Sequence, residues 1–146
     1  MRRLLFVCTL ATLSLGATGG VAAAAPGDFA AGGGNDGVGH FNFSAHQTET
    51  LLARGHMSYR SPSQVIRANV TCMHVEGNRA FILGEIDLSK SSGITEGATQ
   101  LAFEALDDRA GDGLSVFLAG PLLGCPLPLF TGTPIARGNI VIHDRP

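Results

Sequence analysis

Apolar side chains recur at every second position along residues 65–88, in two halves separated by Glu76-Gly77-Asn78; the other positions are only partly polar, with Met73, Phe81 and Leu83 among them. Successive side chains of a strand point to opposite faces, so alternate positions share a face. The even positions form a nearly pure apolar stripe in each half of the segment: Ile66, Ala68, Val70, Cys72 and His74, then Ala80, Ile82, Gly84, Ile86 and Leu88. This pattern predicts a long β-hairpin.

The turn of this hairpin decides how the two stripes meet. A two-residue Gly77-Asn78 turn places Glu76 opposite Arg79 and sets even positions beside odd ones, whereas a three-residue turn at 76–78 sets even beside even. A one-residue slip moves every side chain to the other face of the sheet. Burial therefore favours the three-residue turn, with Gly77 or Asn78 at positive φ.

The same alternation predicts further strands on both sides of the hairpin. They cover residues 39–46, 54–60, 100–106, 114–118 and 138–143. The segment 121–134 contains four prolines and is predicted to be a surface excursion, because each proline removes a ladder donor. No segment shows a sustained helical period. About seven mostly antiparallel strands predict an all-β small barrel or sandwich.

The first residues have the layout of a secretory signal peptide. Arg2 and Arg3 precede an apolar run at 4–15, which is too short to span a bilayer, and small residues follow. Cleavage is expected after Ala23 or Ala24, because a proline directly after the cut is unfavourable; an uncleaved anchor is the alternative. The predicted organisation is a signal peptide at 1–24, a flexible Gly-rich lead-in at 25–37 and an all-β domain at 38–146. The product is predicted to be secreted.

Cleavage changes the composition of the functional chain. About 121 residues remain, enough for one domain, with eight Lys/Arg against twelve Asp/Glu and a formal net charge of −4. No run of Lys or Arg is present, which argues against nucleic-acid binding. No second apolar segment is long enough to span a membrane after processing.

Two cysteines remain, Cys72 and Cys125. An even pair in an exported protein predicts a disulfide, which closes a loop of about 50 residues worth ~4 kcal/mol in the chain-entropy model. Two separate buried thiols are the alternative. A metal site is disfavoured because neither cysteine belongs to a C-x-x-C pair.

Four short motifs together resemble the secreted post-COAP-type domains of actinobacteria and related bacteria. They are Gly39-His40-Phe41-Asn42-Phe43, Gly77-Asn78-Arg79-Ala80, an acidic turn at 107–113 and a closing strand at 138–143. The acidic turn departs from the family pattern, with Asp108-Arg109 in place of Asn-Gly. The resemblance implies an exported bacterial β domain and no particular activity.

Candidate catalytic groups are few. Gly113-Leu114-Ser115 approaches the G-x-S-x-G elbow of serine hydrolases, but it lacks the second glycine and leads from a turn into a strand. Glu85 and Asp87 lie two residues apart on one strand, roughly 7 Å, which is within the range for inverting glycosidases. A solvated strand face explains the same pair, and the sequence contains no tryptophan to hold a sugar.

Candidate metal ligands are also weak. His40 and His46 share a strand face and His143 ends the last strand, where imidazoles could hold Zn or Cu, but His40 and His46 are ~20 Å apart. His74 falls on the apolar stripe, where a hydrogen-bonded core histidine is expected. Three aspartates crowd the turn at 107–113, yet an EF-hand frame begun at Asp108 ends on Ala119, where glutamate is required.

The sequence therefore predicts no catalytic, cofactor-binding or metal-binding residue, and only the Cys72–Cys125 disulfide as a special site. The predicted function is that of an exported non-enzymatic β domain with a structural role or an extracellular protein or surface component as partner. One alternative is a small barrel that holds an apolar ligand between Phe41, Phe43 and Phe103. A metal- or calcium-dependent extracellular enzyme or binder is a third hypothesis.

Overall fold

The structure is a computed structural model that describes residues 27–48, 52–121, 125 and 132–145. These residues form one antiparallel sheet of nine strands that curls into a half-barrel. The all-β prediction is confirmed, although the sheet has two strands more than predicted. The predicted signal peptide and its cleavage site lie outside the described residues. The strands are β1 (Phe29–Asn35), β2 (His40–Gln47), β3 (Ala53–Arg60), β4 (Val65–Glu76), β5 (Arg79–Ile86), β6 (Gln100–Leu106), β7 (Gly113–Ala119), β8 (Thr133–Pro134) and β9 (Arg137–His143).

Strand order follows the chain from β8 back to β1, and β9 then pairs with the free side of β1. Every segment that alternation predicted as a strand is present, as β2 to β7 and β9. The two additional strands are β1 and the two-residue β8. Proline at the end of β8 is tolerated because β8 lies at a sheet edge, where no further strand needs its missing donor.

Strand β1 is where the structure differs most from the predicted lead-in. The Gly-rich residues lie between β2 and β9, and Gly32 pairs with Phe43 on one side and Ile140 on the other. A Cβ atom on Gly32 would lie 2.8 Å from the Phe43 ring and 2.9 Å from the Ile140 side chain. Glycine is therefore required here for close packing, although the same composition is typical of a flexible linker.

The turn of the central hairpin also differs from the prediction. Glu76 pairs with Arg79, so the turn has two residues, with Gly77 at φ 61°. The prediction of a three-residue turn is wrong because a β-bulge lies between Val70 and Cys72 and corrects the register along the strand. Even-numbered residues of β4 pair with even-numbered residues of β5 before the bulge and with odd-numbered ones after it. The hairpin can therefore have a two-residue turn and still bury apolar side chains of both strands.

The bulge also changes which side chains of β4 are inside. Met73 packs in the main core, whereas Cys72 joins a second apolar cluster with Phe81, Leu83 and Ala102. His74 consequently lies on the outer side, only partly buried, and its Nδ1 has no hydrogen-bond partner. The predictions that Cys72 and His74 belong to the core stripe are wrong.

The inner surface of the curled sheet is filled by large side chains. The Phe43 and Phe103 rings meet edge to face with centroids 5.7 Å apart, and Phe41 stacks on Phe43 at 6.3 Å. All three side chains are at most 3% exposed. These three rings pack against one another in the main core.

A disulfide joins Cys72 to Cys125, with Cα atoms 5.9 Å apart and a sequence separation of 53. The predicted disulfide is confirmed. Cys125 packs against the second apolar cluster on the outer side of the sheet. Most of the Pro-rich excursion predicted around it lies outside the described residues.

The outer edge of β9 is held by carboxylates from the β6–β7 connection. The backbone N–H of Ile140 donates to Oδ2 of Asp112 at 2.6 Å, and that of Ile142 donates to Oδ2 of Asp107 at 3.0 Å. An unpaired strand edge exposes N–H groups that need acceptors. The acidic turn thus supplies the acceptors that a tenth strand would otherwise provide.

Candidate functional site

The outer surface of the β9-β1-β2-β3-β4 half of the sheet is strongly polar. Core side chains occupy the odd positions of β2 and β3 and the even positions of β9 and of the first half of β4. The remaining positions must point outward, because strand side chains alternate. We call the outward residues of these strands, with β4 counted to Thr71, the arginine–histidine face. Its basic members are Arg54, Arg60, Arg67, Arg137, His40, His46, His56 and His143.

Strand pairing arranges these side chains in rows across the sheet. One row runs Arg60, His40, Asn35 and Arg137 over β3, β2, β1 and β9. The row at the opposite end of the same strands runs Arg54, His46, Phe29 and His143. Two rows between them carry Arg67 and His56 with serine and asparagine residues: Ser44, Ser58, Asn42, Asn69 and Asn139. The face measures ~20 Å in each direction from standard strand spacing.

Charge on this face is of one sign. Among the described residues, none of its outward positions carries a carboxylate, although the chain has more acidic than basic residues. Four of the chain's five histidines lie on it. Glu85 on β5 and Asp87 after it stand at the border next to β4. The fold therefore collects basic groups that are scattered along the sequence.

Two shallow depressions lie along the β3–β4 side of this face. One has a volume of about 320 Å³ and is lined by His40, Arg60 and Arg67 among others. The other has a volume of about 310 Å³ and includes His56 and Arg67 in its walls, with the ion pair of Lys90 and Asp87 at its border. Exposed guanidinium and imidazole N–H groups around a depression are suited to anionic oxygen atoms.

The histidines are not arranged as a metal site. The Phe29 ring stacks against His46 at 5.1 Å on one side and against His143 at 5.5 Å on the other, so it separates them. Strand β1 also lies between the strands that carry these two histidines. Within the part of the chain that the structure describes, no group of three or more His, Cys, Asp or Glu side chains could hold a metal ion.

The carboxylate pair Glu85 and Asp87 does not form a joint site. Glu85, one residue before the end of β5, is exposed to solvent, whereas Asp87 caps the 3₁₀ turn Leu88–Lys90 and accepts from Lys90 Nζ at 2.7 Å. Hydrogen bonds from Lys90 and Ser89 lower the pKa of Asp87 below its ordinary value. A carboxyl group held ionised in this way is unsuited to act as a general acid.

Ser115 lies on β7 opposite Glu104 and lines a pocket whose described residues include no histidine. The histidine base of a serine hydrolase is therefore not found beside it among the described residues. The carboxylates of the acidic turn are likewise engaged with backbone groups: Asp112 and Asp107 accept from β9, and Asp108 Oδ1 accepts from Ala110 N at 3.1 Å. These contacts give the three aspartates a structural role.

A second polar arrangement lies in a pocket of about 520 Å³ between β7 and the turn that follows β1. The Tyr59 hydroxyl donates to Oδ2 of Asp36 at 3.1 Å, while Oδ1 accepts from the N–H groups of Val38 and Gly39. A Cβ atom on Gly39 would lie 2.8 Å from the Tyr59 ring, so glycine is needed for this approach. Burial, and then the hydrogen bond and charge of Asp36, raise the pKa of Tyr59 to about 12.

This shift predicts how alkaline pH acts on the protein, and Tyr59 is the only tyrosine in a chain without tryptophan. Near-ultraviolet absorbance of tyrosinate is expected to titrate near pH 12 in the folded protein and near pH 10.0 in denaturant. Between these values the unfolded state binds fewer protons, so this contribution to stability is complete below pH 10.0 and is lost as the pH rises to about 12. An Asp36→Asn variant should titrate between the two values, because burial, the largest cause, remains. An unchanged midpoint in that variant would contradict the assignment.

Sequence reasoning missed the arginine–histidine face. Alternation placed several of its residues on the polar faces of single strands. The order of the strands in the sheet is also needed to know that these polar faces form one surface. Within the described residues, no helix has the length and apolar character needed to cross a membrane. No family model, curated protein or solved structure matches the chain. The resemblance to post-COAP-type domains therefore stays a prediction.

Proposed function

We propose that this protein is an exported, non-enzymatic binding domain that holds an anionic polymer of the cell exterior against its arginine–histidine face. The observation that carries the proposal is the segregation of charge: four arginines and four histidines share a sheet face on which no described outward position is acidic. A face of one sign in a chain of opposite net charge favours a partner of complementary charge.

The arrangement of the face supports an extended partner. Basic rows lie at its two ends, and the rows between them carry serine and asparagine side chains that donate and accept hydrogen bonds. A chain that carries repeated carboxylate, sulfate or phosphate groups can contact both basic rows at once. Contacts at several points along one polymer raise the overall affinity above that of any single ion pair.

Single-stranded nucleic acid is a less suitable polymer for this face. Its binding sites combine basic grooves with exposed aromatic rings on which bases stack. The aromatic ring on this face, Phe29, is already stacked on both sides by His46 and His143. Its two surfaces are therefore not open to a base.

The proposal predicts binding that depends on charge and on position. We expect dextran sulfate and polygalacturonate to bind the purified protein, and uncharged dextran not to bind, in isothermal titration. An Arg60→Gln/Arg137→Gln variant should bind about tenfold more weakly, because two exposed ion pairs contribute ~0.2–1 kcal/mol each and act together along one row. The affinity should fall from about 0.05 to about 0.5 M salt as the charges are screened.

The matched control is Arg79→Gln/Arg109→Gln, which removes the same charge from exposed positions away from this face. That variant is expected to bind like the unmodified protein. Equal weakening of both double variants would show a response to net charge alone and would overturn the proposal. Tighter binding of single-stranded DNA than of either polysaccharide would replace the proposed partner with nucleic acid.

A further inference from the structure

The pocket beside β7 differs from the arginine–histidine face in both shape and charge. Its volume of about 520 Å³ lies within the range of small-molecule sites. Apolar side chains form much of its wall, including Ile66, Val116 and Leu118. Val38 at this pocket is 71% exposed and Phe117 is 37% exposed, so apolar surface is available to a ligand.

The charge in this pocket is negative. Asp36 is its carboxylate, and none of the described residues that line the pocket is basic. Oδ1 of Asp36 is occupied by two backbone N–H groups, whereas Oδ2 accepts from the Tyr59 hydroxyl. A carboxylate oxygen has two acceptor positions, so Oδ2 keeps one for a further donor. The Tyr59 hydroxyl lies 3.1 Å from Oδ2, so the pocket brings the phenol ring next to this carboxylate.

We propose that this pocket binds a small amphipathic ammonium compound, with its cationic head on Asp36 and Tyr59 and its aliphatic part against Ile66, Val116 and Leu118. The ligand class follows from the chemistry of the walls. An ammonium group satisfies the remaining acceptor of Oδ2 by a charge-assisted hydrogen bond, and an aromatic ring nearby attracts the same cation. The aliphatic chain gains by leaving water for the apolar wall.

A carboxylate ligand is disfavoured in the same pocket because it would face Asp36 without a basic partner. An uncharged alcohol can pack against the apolar wall but forms no ion pair with Asp36. The pocket therefore predicts an order of affinity among ligands of equal chain length, with ammonium above alcohol and alcohol above carboxylate. The pocket is thus expected to prefer cations, whereas the arginine–histidine face is expected to prefer anions. A negative result for one site therefore does not decide the other proposal.

The test uses octylammonium, octanol and octanoate below their aggregation concentrations. Binding is followed by isothermal titration and by the emission of Tyr59, the only tyrosine in a chain without tryptophan. Octylammonium is expected to give saturable binding at one site, at least about tenfold tighter than octanol, since it adds a charge-assisted hydrogen bond to Asp36. Octanoate is expected to bind more weakly than octanol and to leave the emission unchanged.

Two variants test the contacts of the cationic head and of the aliphatic chain separately. Asp36→Asn should weaken octylammonium about tenfold and leave octanol unchanged, and its side-chain oxygen can still accept from the turn. Val38→Ser replaces a mostly exposed side chain and should weaken both ligands about threefold through lost apolar contact. The matched control Glu96→Gln removes one exposed negative charge outside the pocket and should change neither affinity.

The outcomes are decisive for the pocket. Equal affinity of octylammonium for the Asp36→Asn variant and the unmodified protein would overturn the proposal, as would tighter binding of octanoate. Absence of saturable binding by octylammonium would overturn it as well. Since Asp36→Asn can alter the turn itself, the far-ultraviolet spectrum and melting temperature of each variant accompany the titrations. The Val38→Ser result then tests the pocket without any change at the turn carboxylate.

Discussion

An Asp107→Ala/Asp112→Ala variant is expected to lower the free energy of unfolding by about 3–5 kcal/mol. The two carboxylates accept the N–H groups of Ile142 and Ile140 at 3.0 and 2.6 Å, at partly buried positions on the outer edge of β9. Hydrogen bonds to charged groups contribute ~1.5–3 kcal/mol, and a donor left without a partner costs its full desolvation energy. Urea denaturation followed by circular dichroism measures the loss.

An Asp108→Ala variant provides the control, because the Asp108 side chain belongs to the same turn but accepts its hydrogen bond from Ala110 instead of from β9. Its expected loss is under about 1 kcal/mol, typical of an exposed hydrogen bond. Hydrogen exchange should show faster exchange of the Ile140 and Ile142 amides in the double variant. If Asp108→Ala loses as much stability, the acidic turn acts through its own conformation and not through β9.

Removal of the disulfide by Cys72→Ala/Cys125→Ala is expected to destabilise the protein by ~4 kcal/mol. The bond joins residues 53 apart, and the chain-entropy model gives about this value for a loop of that length. Since small domains are stable by only ~5–15 kcal/mol, the loss is a large share of the total. The expected observation is a lower midpoint of urea denaturation.

Reduction of the unmodified protein separates the crosslink from packing. Cys72 lies in the outer apolar cluster with Phe81 and Leu83, so replacement by alanine also removes some buried contact. The reduced protein keeps both sulfur atoms and should unfold at a urea concentration below that of the oxidised protein but above that of the alanine variant. Equal midpoints for reduced and oxidised protein would show that the disulfide contributes nothing to stability.

Most of the fold could be predicted because alternation directly reports which strand face is buried. The segment that became β6 was predicted to the residue, and the Cys72–Cys125 pair followed from cysteine number and context. Strand β1 could not be predicted, because glycine has no side chain to alternate and its role depends on Phe43 and Ile140 from other strands. The bulge between Val70 and Cys72 was missed because apolar residues occur at both even and odd positions after it. A change of buried face therefore leaves no visible break in the sequence pattern.

The candidate site was much less accessible to sequence reasoning. Arg60 and Arg137 are far apart in the chain and share a row only because β9 crosses back to β1. Only a few residues separate β2, β3 and β4 in the sequence, which implies that these strands are adjacent. The half of the arginine–histidine face on these three strands could therefore have been predicted. The partnership of Asp36 with Tyr59 depends on the curl of the sheet and had no sequence signal except the glycine at position 39.

The carboxylates around the arginine–histidine face also restrict how a long anion can lie on it. Asp107 and Asp112 stand at its β9 border, and Glu85 and Asp87 stand at its β4 border. A negatively charged chain is attracted over the basic rows and repelled at these two borders. The orientation that meets both basic rows and avoids both borders runs parallel to the strands.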